Sequence, residues 1–140
     1  MPVRALTVGL VALLFGCGAS APPGPATYPG KGKLTRGGQP LKGVTVGLYP
    51  AGGASAKGTP GSGTTDESGA FEIRSSGGPG VSPGSYKVVL SAPPPMIDYA
   101  NQKGPPKPAV DLPKNLMSDS TSDRIVEVKS SGENVVDISL

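Results

Sequence analysis

The chain has no histidine and no tryptophan, and its single cysteine is Cys17. Without imidazole, acid–base catalysis near neutral pH loses its usual side chain, and zinc sites built on His and Cys lose their ligands. One cysteine also rules out a disulfide within the chain. Aromatic residues are sparse, with two Phe and four Tyr in 140 residues, so any core relies on few large side chains. The most apolar stretch, Ala5 to Phe15, is too short to cross a bilayer as a helix. Charge of one sign is also lacking: 13 basic residues stand against 10 acidic ones, and the lysines are scattered rather than clustered. No basic footprint for nucleic acid results.

What is abundant is glycine and proline, 22 and 17 residues, with serine between them. At the N-terminus, Arg4 followed by the apolar run to Phe15 has the charge and length pattern of a signal peptide, predicted to be removed rather than folded. Leu14-Phe15-Gly16-Cys17 follows directly. This resembles the bacterial lipobox, in which a Leu three before the Cys and a small residue just before it guide cleavage and diacylation. Phe15 departs from the small residue usual at its place, which opens cleavage after Ala19 or Ala21 as an alternative. The expected organisation is a signal peptide over 1–16, a Gly/Ala/Ser/Pro tether over 17–29 beginning with lipidated Cys17, and one domain over 30–140. Acyl chains on Cys17 would hold the protein to a membrane without a spanning helix.

Of the 30 Leu, Ile, Val and Phe residues, 22 lie after Cys17, so the core of the exported domain has to be thin. Short alternating segments separated by Gly, Pro, Ser and Asp clusters predict strands and no helices. The predicted strands are Gly32 to Thr35, Gly43 to Tyr49 with Val44, Val46 and Leu48 inward, a segment carrying Phe71 and Ile73 on one face, and Ser85 to Ser91. Asp66-Glu67-Ser68-Gly69 reads as a hairpin turn, with Asp66 bonding local N–H groups and Gly69 at positive φ. Pro50 to Gly63 and Ser75 to Pro83 read as loops, and seven prolines between Pro93 and Pro113 predict an extended surface excursion. Ile125 to Lys129 and Asn134 to Leu140 read as a last hairpin. The pattern points to an all-β fold, a single Greek-key β-sandwich of about seven strands.

Four motifs carry a resemblance: Gly30 to Thr35, Gln39-Pro40-Leu41-Lys42-Gly43-Val44-Thr45-Val46, Thr65-Asp66-Glu67-Ser68-Gly69-Ala70-Phe71, and Pro83-Gly84-Ser85-Tyr86-Lys87-Val88. In order and spacing they resemble the carboxypeptidase regulatory-like domain, a transthyretin-like (prealbumin-like) β-sandwich, and the end of the chain from Leu112 to Asp137 looks like the closing segment of small bacterial surface lipoproteins made of this domain alone. The resemblance implies a non-catalytic module, because beside metallocarboxypeptidases this domain lacks the zinc site.

The acids give no contrary signal. Asp66 and Glu67 lack the alternating oxygen donors of an EF-hand, and the carboxylates, scattered over turns and outward strand positions, do not read as a glycosidase pair. The expectation is therefore a lipid-anchored, exported, non-enzymatic module of the bacterial cell envelope, with no metal, no cofactor, and an envelope protein or glycan as partner. The alternative is a carbohydrate-binding envelope protein, for which Tyr49 and Tyr99 are the candidate binding residues and need to be exposed on one face.

Overall fold

The computed structural model describes residues 24–53, 57–95, 100, 104 and 108–140. Residues 1–16, Cys17 and Tyr99 lie outside the described residues, as does the tether before Gly24. The described chain is almost entirely β-strand and irregular structure, with a 3-10 turn at Lys114–Met117. Its strands are β1 (Gly30–Arg36), β2 (Gln39–Pro40), β3 (Thr45–Pro50), β4 (Gly61–Thr64), β5 (Ala70–Ser75), β6 (Gly78–Pro79), β7 (Gly84–Ser91), β8 (Ile125–Val128), β9 (Asn134–Val135) and β10 (Ile138–Ser139). They form one curled sheet in the order β10-β1-β5-β4-β3-β7-β8, with β2 and β9 also on β1 and β6 on β5. The pairs are antiparallel except β1 with β9 and with β10.

Strand alternation sorts the side chains as the sequence suggests. Val44, Val46 and Leu48 are fully buried, as are Ile73, Tyr86, Val88 and Leu90, and Phe71 is nearly so. Their neighbours Glu72, Arg74 and Tyr49 face outward. The Asp66–Gly69 turn takes the expected form: Gly69 has a φ of 74° and joins β4 to β5. A Cβ on Gly69 would stand 2.5 Å from the Leu34 carbonyl oxygen, so glycine is required there on two counts.

Two strands contribute little side chain to the interior: β1 only Leu34, and β4 none. On β1 the inward positions before Leu34 are Gly30 and Gly32, and a Cβ on Gly32 would stand 1.9 Å from the Val136 carbonyl oxygen and 2.9 Å from the Phe71 ring. On β4 they are Gly61 and Gly63: a Cβ on Gly61 would meet Val81 and Ile73 side-chain carbons at 2.5 and 2.8 Å, and one on Gly63 the Glu72 carbonyl oxygen at 2.2 Å. The few large apolar side chains therefore press directly on backbone. That is how a chain with little aliphatic content closes a core.

β4 lies inside the segment expected to be a loop, because a Gly-Ser-Gly-Thr strand carries no hydrophobic alternation to read. Within the other expected loop, Ser75 to Pro83, β6 pairs with β5, and Val81 and Ser82 are buried. Ser82 is a small hub: the Tyr86 hydroxyl donates to its carbonyl oxygen (2.7 Å), and its own Oγ accepts the Thr59 N–H (3.1 Å). The expected last hairpin does not form. β8 pairs antiparallel with β7, whereas β9 and β10 run parallel to β1. Asn134 links the two segments, its Oδ1 accepting the Lys129 N–H at 2.8 Å. The expected tether also ends earlier than its composition suggests, since Tyr28 exchanges backbone hydrogen bonds with Val81 (2.9 and 3.2 Å) and the Pro29 carbonyl accepts the Asn134 N–H.

Curling brings the two ends of the sheet to one seam, where the Arg124 guanidinium beside β8 donates to the Ser139 carbonyl of β10 (3.0 Å). Leu112 and Leu116, from the end of the proline-rich stretch and the 3-10 turn, are buried in the same core cluster. Substituting Leu116 by Ala should lower the unfolding free energy by about 2–5 kcal/mol. Gly32→Ala and Gly61→Ala should each cost about 1–3 kcal/mol through overpacking, although a glycine-to-alanine change at an open site is neutral or stabilising. Gly24→Ala, with nothing within 4 Å of its Cβ position, serves as the control. Denaturant unfolding of the four variants checks the ranking.

Candidate functional site

Several concavities open on the described surface; two lie along the seam around Arg124 and Ser139, and two others lie on the outer face of the sheet. The larger, about 700 Å³, is lined by Lys31 and Lys33 of β1, Glu72 of β5, Asp66 of the turn, and Glu133, Val135 and Asp137 of the last segment. The fold thus brings together four carboxylates that the sequence reading left scattered. They converge because β9 runs parallel to β1, which brings the flanking Glu133 and Asp137 to Lys31 and Lys33, while β5 pairs with the same stretch of β1 and contributes Glu72, a pairing invisible to a hairpin reading.

The polar groups of this groove mostly satisfy one another. Lys31 Nζ lies 2.8 Å from Glu133 Oε1, and this hydrogen bond, with the Glu133 charge and the cross-strand Glu72, raises the lysine pKa above its ordinary 10.5. Asp137 accepts the backbone N–H of Lys33 at 2.9 Å. Asp66 Oδ1 accepts the Ser68 hydroxyl (2.7 Å), the Ser68 N–H (2.8 Å) and the Ala70 N–H (3.0 Å). These bonds hold its carboxyl below the ordinary 3.8, the Ser68 hydroxyl contributing most. A catalytic general acid needs the opposite shift, produced by burial. Glu67, the other acid of the turn, points to Lys42 at 3.2 Å. These carboxylates fasten the turn and the β1–β9 edge.

The smaller concavity, about 290 Å³, is lined by Tyr49, Pro60, Gly61, Ser62, Arg74, Ser75 and Ser76. Its floor is the outer surface of β4, and the register sets its walls: Ser62 stands between Gly47 of β3 and Arg74 of β5. The Tyr49 ring folds back along its own strand over Gly47, its Cε2 2.9 Å from where a Cβ would stand, and remains 44% exposed. A side chain at Gly47 would displace the ring. Of the candidate binding residues read from the sequence, Tyr49 is thus exposed on the outer face, and Tyr99 lies outside the described residues. Arg74 was not singled out by sequence reading, because its place beside Tyr49 depends on a strand, β4, that leaves no apolar signal.

Among the described residues, no helix is long and apolar enough to cross a membrane, and no cluster of three or more His, Cys, Asp or Glu is placed to hold a metal ion. Comparison with protein-family models, curated proteins and solved structures finds no match.

The bonds to Asp66 make a pH prediction. Because its folded pKa is depressed, its stabilisation is fully present above the unfolded value near 3.8 and is lost as pH falls through the folded value. Asp66→Asn should melt below the unmodified protein at pH 7, with the gap narrowing at pH 2. Thermal denaturation at the two pH values measures both, and an equal gap at both would show that charge on Asp66 is immaterial.

Proposed function

We propose that this protein is a lipid-anchored, exported, non-catalytic β-sandwich of the bacterial cell envelope, acting as a structural or interaction module. The observation that carries the reading is the placement of the only cysteine, Cys17, at the end of the apolar run and after Leu14-Phe15-Gly16. A lone reactive thiol has no other evident use in an exported chain. Pairing of the chain with the sheet begins only at Tyr28, which leaves ten residues between it and Cys17 to act as a tether.

Several features support the sandwich and its kinship with carboxypeptidase regulatory-like, transthyretin-like domains. The curled sheet encloses one core, and the Asp66–Gly69 turn delivers Phe71 into it. The bond from the Tyr86 hydroxyl to the carbonyl four residues upstream has the form of the tyrosine corner of Greek-key sandwiches. The non-catalytic part is supported by the larger groove, where Asp66 and Asp137 are engaged in pinning backbone and Glu133 in pairing with lysine. A second reading, carbohydrate binding, is favoured by one observation: an exposed Tyr49 ring laid over a glycine at the edge of a groove.

The anchor is tested by expressing the full chain and its Cys17→Ser variant in bacteria with labelled palmitate. The unmodified chain should incorporate label and sediment with membranes, and the variant should do neither. A variant that stays in the membrane fraction would refute lipidation.

A further inference from the structure

The described chain contains three arginines, and two of them are engaged. Arg36 bonds the Asp111 carbonyl and Arg124 the Ser139 carbonyl. Arg74 holds no ion pair and no side-chain hydrogen bond, and is exposed on the wall of the smaller groove. Opposite it the Tyr49 hydroxyl and the Ser62 hydroxyl are likewise without partners, so the groove collects unused donors around an aromatic ring. The larger groove, by contrast, pairs Lys31 with Glu133, ties Asp66 and Asp137 to backbone N–H groups, and is lined by four carboxylates.

We infer that the Tyr49–Arg74 groove binds a carboxylate-bearing sugar residue of an acidic glycan, an inference that rests on the carbohydrate-binding reading and specifies its ligand. Three features select this class. A guanidinium presents a fork of donors matched to a carboxylate, and a charged partner gives the stronger bond. Arg74 is the only charged residue among the described residues lining the groove, so no carboxylate of theirs repels an anion. The apolar contact is a Tyr ring beside Pro60 over a floor of glycine and serine, shallow enough for the face of a pyranose and without a deep pocket for an apolar side chain.

The position of the groove fits a ligand near the anchor. Thr27, where the chain enters the domain, lies against Gly77 (3.3 Å from its Cβ position), next to Ser76 on the groove rim. The ten residues from Cys17 to Thr27 reach at most about 35 Å, so a domain tethered there would hold this rim within that distance of the membrane.

The test is titration of the full chain, in polyoxyethylene detergent micelles that contain no sugar, with trigalacturonate, neutral maltotriose, and tricarballylate, which carries carboxylates without a sugar ring. Binding is read by calorimetry and by saturation-transfer NMR. Trigalacturonate should bind saturably and the other two at least tenfold more weakly. Tyr49→Ala and Arg74→Ala should each weaken it roughly tenfold or more, with melting temperatures unchanged because both side chains are exposed, while Arg74→Lys recovers part of the loss. Equal binding of maltotriose that Tyr49→Ala abolishes would overturn the acidic ligand and leave the carbohydrate reading standing. Equal binding of tricarballylate would overturn the sugar. No saturable binding of either sugar, or binding that neither variant changes, would overturn both, without touching the palmitate test of the anchor.

Discussion

The structure depends on how closely strands approach where the inner face of the sheet is glycine. At Gly32 the Val136 carbonyl occupies the space a methyl group would need, and at Gly61 the side chains of Ile73 and Val81 do so. With so few aromatic and aliphatic residues, a curled sheet of this width could not fill an ordinary interior. Removing side chains from the inner positions of β1 and β4 shrinks the volume to be filled until Phe71, Ile73, Val81 and their neighbours suffice. Glycine in a strand weakens it by losing more backbone entropy on folding. Here that loss is offset by dense contact on backbone that larger residues would hold apart.

The same closeness explains the remaining architecture. A tightly curled sheet brings its first and last strands together, and the chain then has to seal the seam between β8 and β10. It does so with Arg124 reaching across to the Ser139 carbonyl and with Leu112 and Leu116 dropped into the core. The proline-rich stretch thus returns to the domain at its C-terminal end, where a buried leucine precedes the last proline and another follows it. The outer surface of the sheet carries the chemistry: one groove whose acids mostly bond backbone or lysine, another with its donors free.

How much of this could be read from sequence follows from which strands carry apolar alternation. Val44, Val46, Leu48, Tyr86, Val88 and Leu90 announce β3 and β7 because every second residue is large and apolar. The Asp66–Gly69 turn is equally legible, since its hydrogen bonds are local. β4 is illegible for a physical reason: its inward residues are glycines selected for absence of bulk, which looks the same as a loop. The pairing of β8 with β7, and of β9 and β10 with β1, was also hidden, because an alternating segment fits a local hairpin as well as a distant strand. The candidate site inherits this split. Tyr49 stands out as an aromatic at an outward position, whereas Arg74 and the convergence of Glu72, Glu133 and Asp137 come from registers that no local pattern encodes.

β4, built from Gly61, Ser62, Gly63 and Thr64, is a full structural strand of the core sheet despite its loop-like composition. Native-state hydrogen exchange measured amide by amide tests this most directly. The hydrogen-bonded amides of β4 should exchange as slowly as those of β7, opening only with global unfolding. Exchange of the β4 amides at the rate of an exposed loop, while β3 and β5 stay protected, would contradict it.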